Sequence, residues 1–256
     1  LARATMYPLD GKNGMFTPEQ MAEVMEPSTR YKPPFRLACV EQTTNKPGGC
    51  IWPLEQVRAV CELAHERGAL THMDGARLLN ATVATGIEAK AYAESFDTLW
   101  IDLSKGLGAP VGAVLAGSAE FIADAWQWKQ RIGGAMRQAG IIAAAGIYAL
   151  EHQVDRMAED HANAKRLAHG IAGATGIDID PDAVETNMVR FDVASLGISS
   201  HLFGDRLLAE SGIRVSTPGP TLVRLIPHLG NSEAEIDEAA AAIRQLAQVL
   251  AAKAKS

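Results

Sequence analysis

FDTLWIDLSKGLGAPVGAVLAG, residues 96–117, is the stretch on which the fold turns. Residues 96–103 are mostly apolar or β-favouring and read as a strand; 112–117 read as another. Between them lies Lys105, with three glycines, a proline and little bulky side chain around it. Working back toward the N-terminus, ALTHMD (69–74) reads as the preceding strand, and 87–94 as a helical segment between the two. PLEQVRAVCELAHERG (53–68) is an amphipathic helix closed by glycine. FRLACVEQ (35–42), flanked by Pro33-Pro34 and a polar turn, reads as a buried strand. Thr17, Pro18 and Glu19 make a helix start, and 17–26 is expected to be helical. Strand and helix therefore alternate, which implies an α/β fold with a mostly parallel sheet covered on both faces.

Working forward, two long helices are expected at 118–131 and 139–167. Beyond them the pattern changes. NMVRFDV (187–193) and TLVRLIP (221–227) read as strands, and 199–212 and 232–255 as helices. The expected organisation is a large α/β domain over 1–167 and a small C-terminal α+β domain over 168–256.

With 256 residues, 47% of them hydrophobic, the chain can bury a substantial core. Its formal net charge is -6, and it has no basic stripe, which argues against nucleic acid as a partner. Its most apolar windows, such as AGIIAAAGIYAL (139–150), are too short to span a bilayer, so no membrane partner is expected. Cys39, Cys50 and Cys61 show no CxxC spacing and read as reduced, mostly buried thiols of a cytoplasmic protein. The chain opens without methionine, in what reads as a turn before a helix, and is expected to begin inside a longer protein.

Two segments carry chemistry. In THMDGAR (71–77), Asp74 ends a predicted strand, where open α/β sheets place their ligands, and Arg77 follows at the start of the next helix. Taken alone, Asp74 fits a helix cap better. In the second segment, Lys105 fits either a surface lysine of a hairpin or a nucleophile whose small neighbours leave room for a planar electrophile. A Walker-type phosphate loop is ruled out, because there the lysine follows the glycines. The histidines lack metal-ligand spacing, so no metal is expected. His72 shares a strand face with Asp74 and suits ring packing or hydrogen bonding. Together, a lysine for a covalent bond to an aldehyde, a strand-end aspartate for a pyridinium nitrogen and arginines for a carboxylate are the set that pyridoxal 5'-phosphate (PLP) requires.

HMDGARLLNA (72–81) and LSKGLGAPVGAVLAG (103–117) resemble the low-specificity L-threonine aldolases, in the β-eliminating lyase group of fold type I PLP-dependent enzymes. The likeness continues in EQTTNKPGG (41–49), LEQVRAV (54–60), GGAMRQAGIIAAAGIYAL (133–150) and VRLIPHLG (223–230). It implies a fold type I PLP-dependent transferase-like architecture. It also implies that Lys105 bonds covalently to PLP, that Asp74 pairs with the pyridine nitrogen, and that Arg77 and Arg224 bind the substrate α-carboxylate. Ser104 is expected to hydrogen-bond the cofactor phosphate, and Arg137 to lie near that phosphate or at a subunit contact. His72 is one candidate for the base that takes the β-hydroxyl proton. The implied reaction cleaves L-threonine, L-allo-threonine and related β-hydroxy-α-amino acids to glycine and an aldehyde, in a homo-oligomer (dimer or tetramer). The alternatives are another PLP-dependent β-elimination, an amino-acid racemase, or a non-catalytic partner subunit. The last arises because the family's N-terminal quarter, with its phosphate-binding turn and ring-stacking histidine, is expected before residue 1.

Overall fold

The computed structural model describes residues 4–26, 28–31 and 33–253. Contacts divide the chain into two units, Leu1–Glu151 and His152–Ser256. In the first unit, helix α1 (Pro18–Val24) starts at a capping box. Thr17 Oγ1 accepts from Gln20 N, and Gln20 Oε1 accepts from Thr17 N. Strand β1 (Leu37–Glu41), helix α2 (Leu54–Glu66), strand β2 (Leu70–Gly75), helices α3 (Leu78–Thr85) and α4 (Ala89–Ala93), and strands β3 (Thr98–Asp102) and β4 (Ala113–Ala116) follow. Helices α5 (Ala119–Arg131) and α6 (Gly140–His152) come last.

The four strands lie in the order β1-β2-β3-β4. The β1–β2 and β2–β3 pairs are parallel, as alternation of strand and helix requires, but β3 and β4 are antiparallel. The short connection from Asp102 to Ala113 can only reverse the chain, because a parallel return needs a crossover of a dozen or more residues.

Side chains of β2 alternate in burial. Thr71, Met73 and Gly75 are buried, whereas His72 and Asp74 are half-buried. Met73 joins a core with Val40, Trp52, Val57, Val60, Cys61 and Tyr92. The opposite face, carrying Leu37 and Leu70 as well as His72, is open enough that both leucines are more than half exposed.

The second unit contains α7 (Met157–Ile171), β5 (Val189–Asp192), α8 (Ser200–Ser211), β6 (Leu222–Leu225) and α9 (Glu233–Lys253). Strands β5 and β6 pair antiparallel. Leu167, Ile171, Phe191, Phe203, Val223 and Ile243 form its core. Residues 254 and 255, the end of the helix expected over 232–255, lie outside the described residues.

The single helix expected over 139–167 is two, α6 and α7, with a break at 153–156. Met157 N and Ala158 N there bond back three residues, to Val154 O and Asp155 O. The break seats Arg156, whose guanidinium grips the buried Asp160 through two bonds of 2.7 and 2.8 Å and Gln153 Oε1 at 3.0 Å. No glycine or proline marks this turn, so the sequence carries no local stop signal. Helix α7 packs on α9 within the second unit.

Candidate active site

The site begins where β2 ends. Gln42 N donates to Asp74 O at 2.8 Å, and Arg77 N donates to Gln42 O at 3.0 Å, so the segment after β1 fixes the path of residues 74–77. Asp74 does not cap α3: the cap position is Arg77, without a side-chain cap bond, and Asp74 Oδ1 instead accepts from Ala76 N at 3.1 Å. That turn holds the carboxylate at the strand end. Gly75 is required by packing, since a Cβ there would lie 2.5 Å from Trp100 O. Arg77 is half-buried.

Paired residues of neighbouring strands share a face. Asp74 stands between Glu41 and Trp100, and His72 between Cys39 and Thr98. One ring nitrogen of His72, Nδ1, is 2.8 Å from Thr98 Oγ1. Burial pushes the His72 imidazole below its ordinary range, against the opposing charge of Asp74, so the ring is neutral near neutral pH. Two of the three thiols are unsuited to nucleophilic roles. Cys50 and Cys61 are buried, and burial drives the Cys61 thiol up to about 12.

Lys105 is carried by the β3–β4 connection. Leu103 N donates to Gly112 O at 3.0 Å, Ala109 N to Leu103 O at 2.9 Å, and Gly108 N to Lys105 O at 2.9 Å. Gly108 and Gly112 take positive φ of 69° and 129°, which favours glycine at both positions. Leu103, Leu107 and Ala109 are buried and anchor the loop, leaving Ser104 and Lys105 on its open side. Lys105 Nζ lies 5.2 Å from the centre of the Trp100 ring. Since Trp100 is the β3 residue in register with Asp74, the amine and the strand-end carboxylate converge on one face of the sheet.

Asp102, absent from the sequence-based set, completes this cluster. Its Oδ2 is 2.8 Å from Lys105 Nζ, and its Oδ1 accepts from Ser104 N at 2.7 Å and Ser104 Oγ at 2.6 Å. Burial raises the Asp102 pKa, but the hydrogen bonds from Lys105 and Ser104 outweigh it and hold the carboxyl below the usual range. The signal was present in the sequence: Asp102 is two residues beyond Trp100 and so shares its face. Ser104 Oγ already donates to Asp102, and would have to turn away to donate to a phosphate.

The remaining expected residues lie on other elements. Arg137 is exposed in the segment between α5 and α6. Arg224 lies on β6 of the second unit, paired in register with Arg190, and both are half-buried. Among the described residues, no group of three His, Cys, Asp or Glu could hold a metal ion. A groove of about 470 Å³ bordered by Arg58, Cys61, His65 and Glu94 lies at the opposite, N-terminal ends of the parallel strands. There His65 Nε2 and Thr71 Oγ1 meet Asp97 Oδ2 at 3.0 and 2.9 Å.

The donor set fits PLP. An amine for the aldehyde and a carboxylate for the ring nitrogen are both fixed on one face, beside an aromatic ring and a neutral imidazole. Thr43 Oγ1, buried in the segment after β1, has no hydrogen-bond partner among the described residues and is a further polar atom at this end of the sheet.

The sequence family described as beta-eliminating lyase matches residues 1–194. This chain belongs to that family. It is 36% identical to the low specificity L-threonine aldolase of Escherichia coli K12 over 235 residues, covering 91% of this chain and 67% of that protein. It is likewise 36% identical to low-specificity L-threonine aldolase 1 of Arabidopsis thaliana over 211 residues, covering 81% of this chain and 58% of that protein. The chain thus spans between about half and two thirds of the length of the relatives it matches. Among solved structures, a threonine aldolase of Leishmania major superposes with a TM-score of 0.70 at 15% identity, covering 92% of this chain and 68% of that one. An aminotransferase of Mycobacterium tuberculosis gives 0.67 at 18%, covering 93% and 62%. These likenesses establish the fold, that of the fold type I PLP-dependent enzymes.

Proposed function

We propose that this chain is the catalytic part of a PLP-dependent aldolase that cleaves L-threonine, L-allo-threonine and related β-hydroxy-α-amino acids to glycine and an aldehyde. The observation that carries the reading is the convergence of Lys105 and Asp74 on Trp100. Membership of the beta-eliminating lyase family and the names of the relatives support the choice of reaction.

When bound, PLP supplies an electron sink conjugated to the substrate Cα. Lys105 Nζ would hold the cofactor at its aldehyde carbon. Asp74 keeps a proton on the pyridine nitrogen, so the ring stays electron-withdrawing. Arg77, at the end of the turn after β2, would bind the α-carboxylate. Arg137 would lie near the phosphate or at a subunit contact, and Ser104 Oγ would donate to the phosphate only on release from Asp102 Oδ1. The neutral His72 ring takes the β-hydroxyl proton as the Cα–Cβ bond breaks.

The protein acts as a homo-oligomer in the cytoplasm. Helix α5 buries none of its residues, and α6, apolar on all sides, buries only Gly146 and Ala149. Trp126, Ile141 and Ile147 are each more than half exposed, a surface suited to a second copy.

The test is turnover of L-threonine with added PLP, read as acetaldehyde and glycine. Lys105→Ala should abolish it while leaving the circular-dichroism spectrum unchanged. Retained turnover in that variant would remove Lys105 from the chemistry, and pyruvate from L-serine in place of acetaldehyde would favour β-elimination.

A further inference from the structure

We infer that Asp102 is a positioning residue that docks the Lys105 amine over Trp100 and holds it ready for the cofactor. The inference rests on the assignment of Lys105 as the cofactor lysine. Four features of the geometry support it. First, the contact is close: Lys105 Nζ to Asp102 Oδ2 is 2.8 Å. Second, the carboxylate is well shielded, with a side chain only 13% exposed, against 36% for Lys105. An exposed pair of flexible side chains would have little power to orient anything. Third, Asp102 is itself immobilised, because Ser104 N and Oγ both hold Oδ1 and leave Oδ2 for the lysine. Fourth, the docked amine lies over Trp100, the strand neighbour of Asp74, rather than out in solvent.

A lysine side chain carries about 2 kcal/mol of rotamer entropy, so an untethered amine would occupy many positions around the loop. A fixed carboxylate three residues before it confines the amine to the sheet face where the ring-nitrogen partner stands.

The competing role for Asp102 is that of a turn-former, since its Oδ1 bonds to Ser104 are those of an Asx turn. Asp102→Asn separates the two, because an asparagine oxygen still accepts from Ser104 N but cannot pair with an ammonium. Brief acetic anhydride labelling of the full chain, stripped of PLP, followed by peptide mass spectrometry, reads the availability of each lysine amine. Near neutral pH, Asp102→Asn is expected to raise the Lys105 labelling rate relative to Lys129 by about tenfold, equivalent to about 1.4 kcal/mol. The melting temperature should be unchanged, and Asp102→Glu should restore slow labelling. An unchanged ratio would overturn the inference, as would a rise shared by all lysines together with a lower melting temperature. Borohydride reduction of the wild-type chain with PLP tests the underlying assignment separately. No adduct on Lys105 would remove the cofactor role but leave the measured docking in place.

Discussion

The Gln42 side chain clasps the backbone of Trp52 from both sides: Trp52 N donates to Gln42 Oε1 at 3.0 Å, and Gln42 Nε2 donates to Trp52 O at 3.3 Å. Its main chain meanwhile bonds Asp74 O and Arg77 N. One fully buried residue thus ties the loop after β1 to the segment that presents the site carboxylate. Gln42→Met keeps the length and deletes both side-chain bonds, stranding two buried backbone groups. We expect a stability loss of about 2–4 kcal/mol in urea unfolding. PLP affinity should also weaken, read from the cofactor's absorbance on titration.

Asp74→Asn tests the ring-nitrogen role. The amide preserves shape and can still accept from Ala76 N, so the melting temperature should hold within a few degrees. Turnover of L-threonine should fall by about 10²–10³, the scale seen when one preorganised electrostatic group is removed. A loss below tenfold would assign the pyridine nitrogen to another partner.

Gly75→Ala tests packing rather than chemistry. The new methyl would meet Trp100 O at 2.5 Å, a backbone atom that cannot swing away. β2 and β3 must part locally, at about 1–3 kcal/mol for an overpacked position. Because Trp100 also lies beneath Lys105, this variant should lose cofactor binding more steeply than stability. Parallel PLP titration and thermal melts compare the two.

Acid should destabilise both units. His72 and His161 are held below the ordinary imidazole range by burial, against the opposing charges of Asp74 and Asp160. Their folded-state values are depressed, so the unfolded chain binds more protons as the pH drops. The stability they contribute is complete above about pH 6.5 and is lost as pH falls through the lower folded-state values. Melting temperatures measured from about pH 8 to about pH 5 should fall on the acid side, and His161→Gln should flatten part of that slope.

Much of this was legible in the sequence, because each element has a local cause. The parallel core of the sheet follows from apolar runs separated by an amphipathic helix, and Thr17, Pro18 and Glu19 announce α1. Lys105 and Asp74 stand out as charged groups at strand ends. The α6–α7 break was not legible. It arises from Arg156 reaching Asp160 and Gln153, and sequence periodicity across 153–156 gives no hint of it. The reading of Asp74 as a helix cap failed for a related reason. Asp74 bonds Ala76 N within its own turn, and α3 begins at Leu78 without a side-chain cap. Asp102 went unnoticed because an acidic residue before a turn is common, and only the fold brings its second oxygen to a lysine.

The alternation along β2 gives the strand a reading frame. Positions 71, 73 and 75 face the core, and positions 72 and 74 carry the groups proposed to react. Substitutions at 71 and 73 and those at 72 and 74 should therefore separate into stability defects and activity defects, while Gly75, packed against Trp100, bears on both. Loss or gain of a single residue between 70 and 74 is different in kind. It would turn His72 and Asp74 into the apolar core and expel Met73 from it, ending folding and chemistry together. This strand can change its letters one at a time, but not its length.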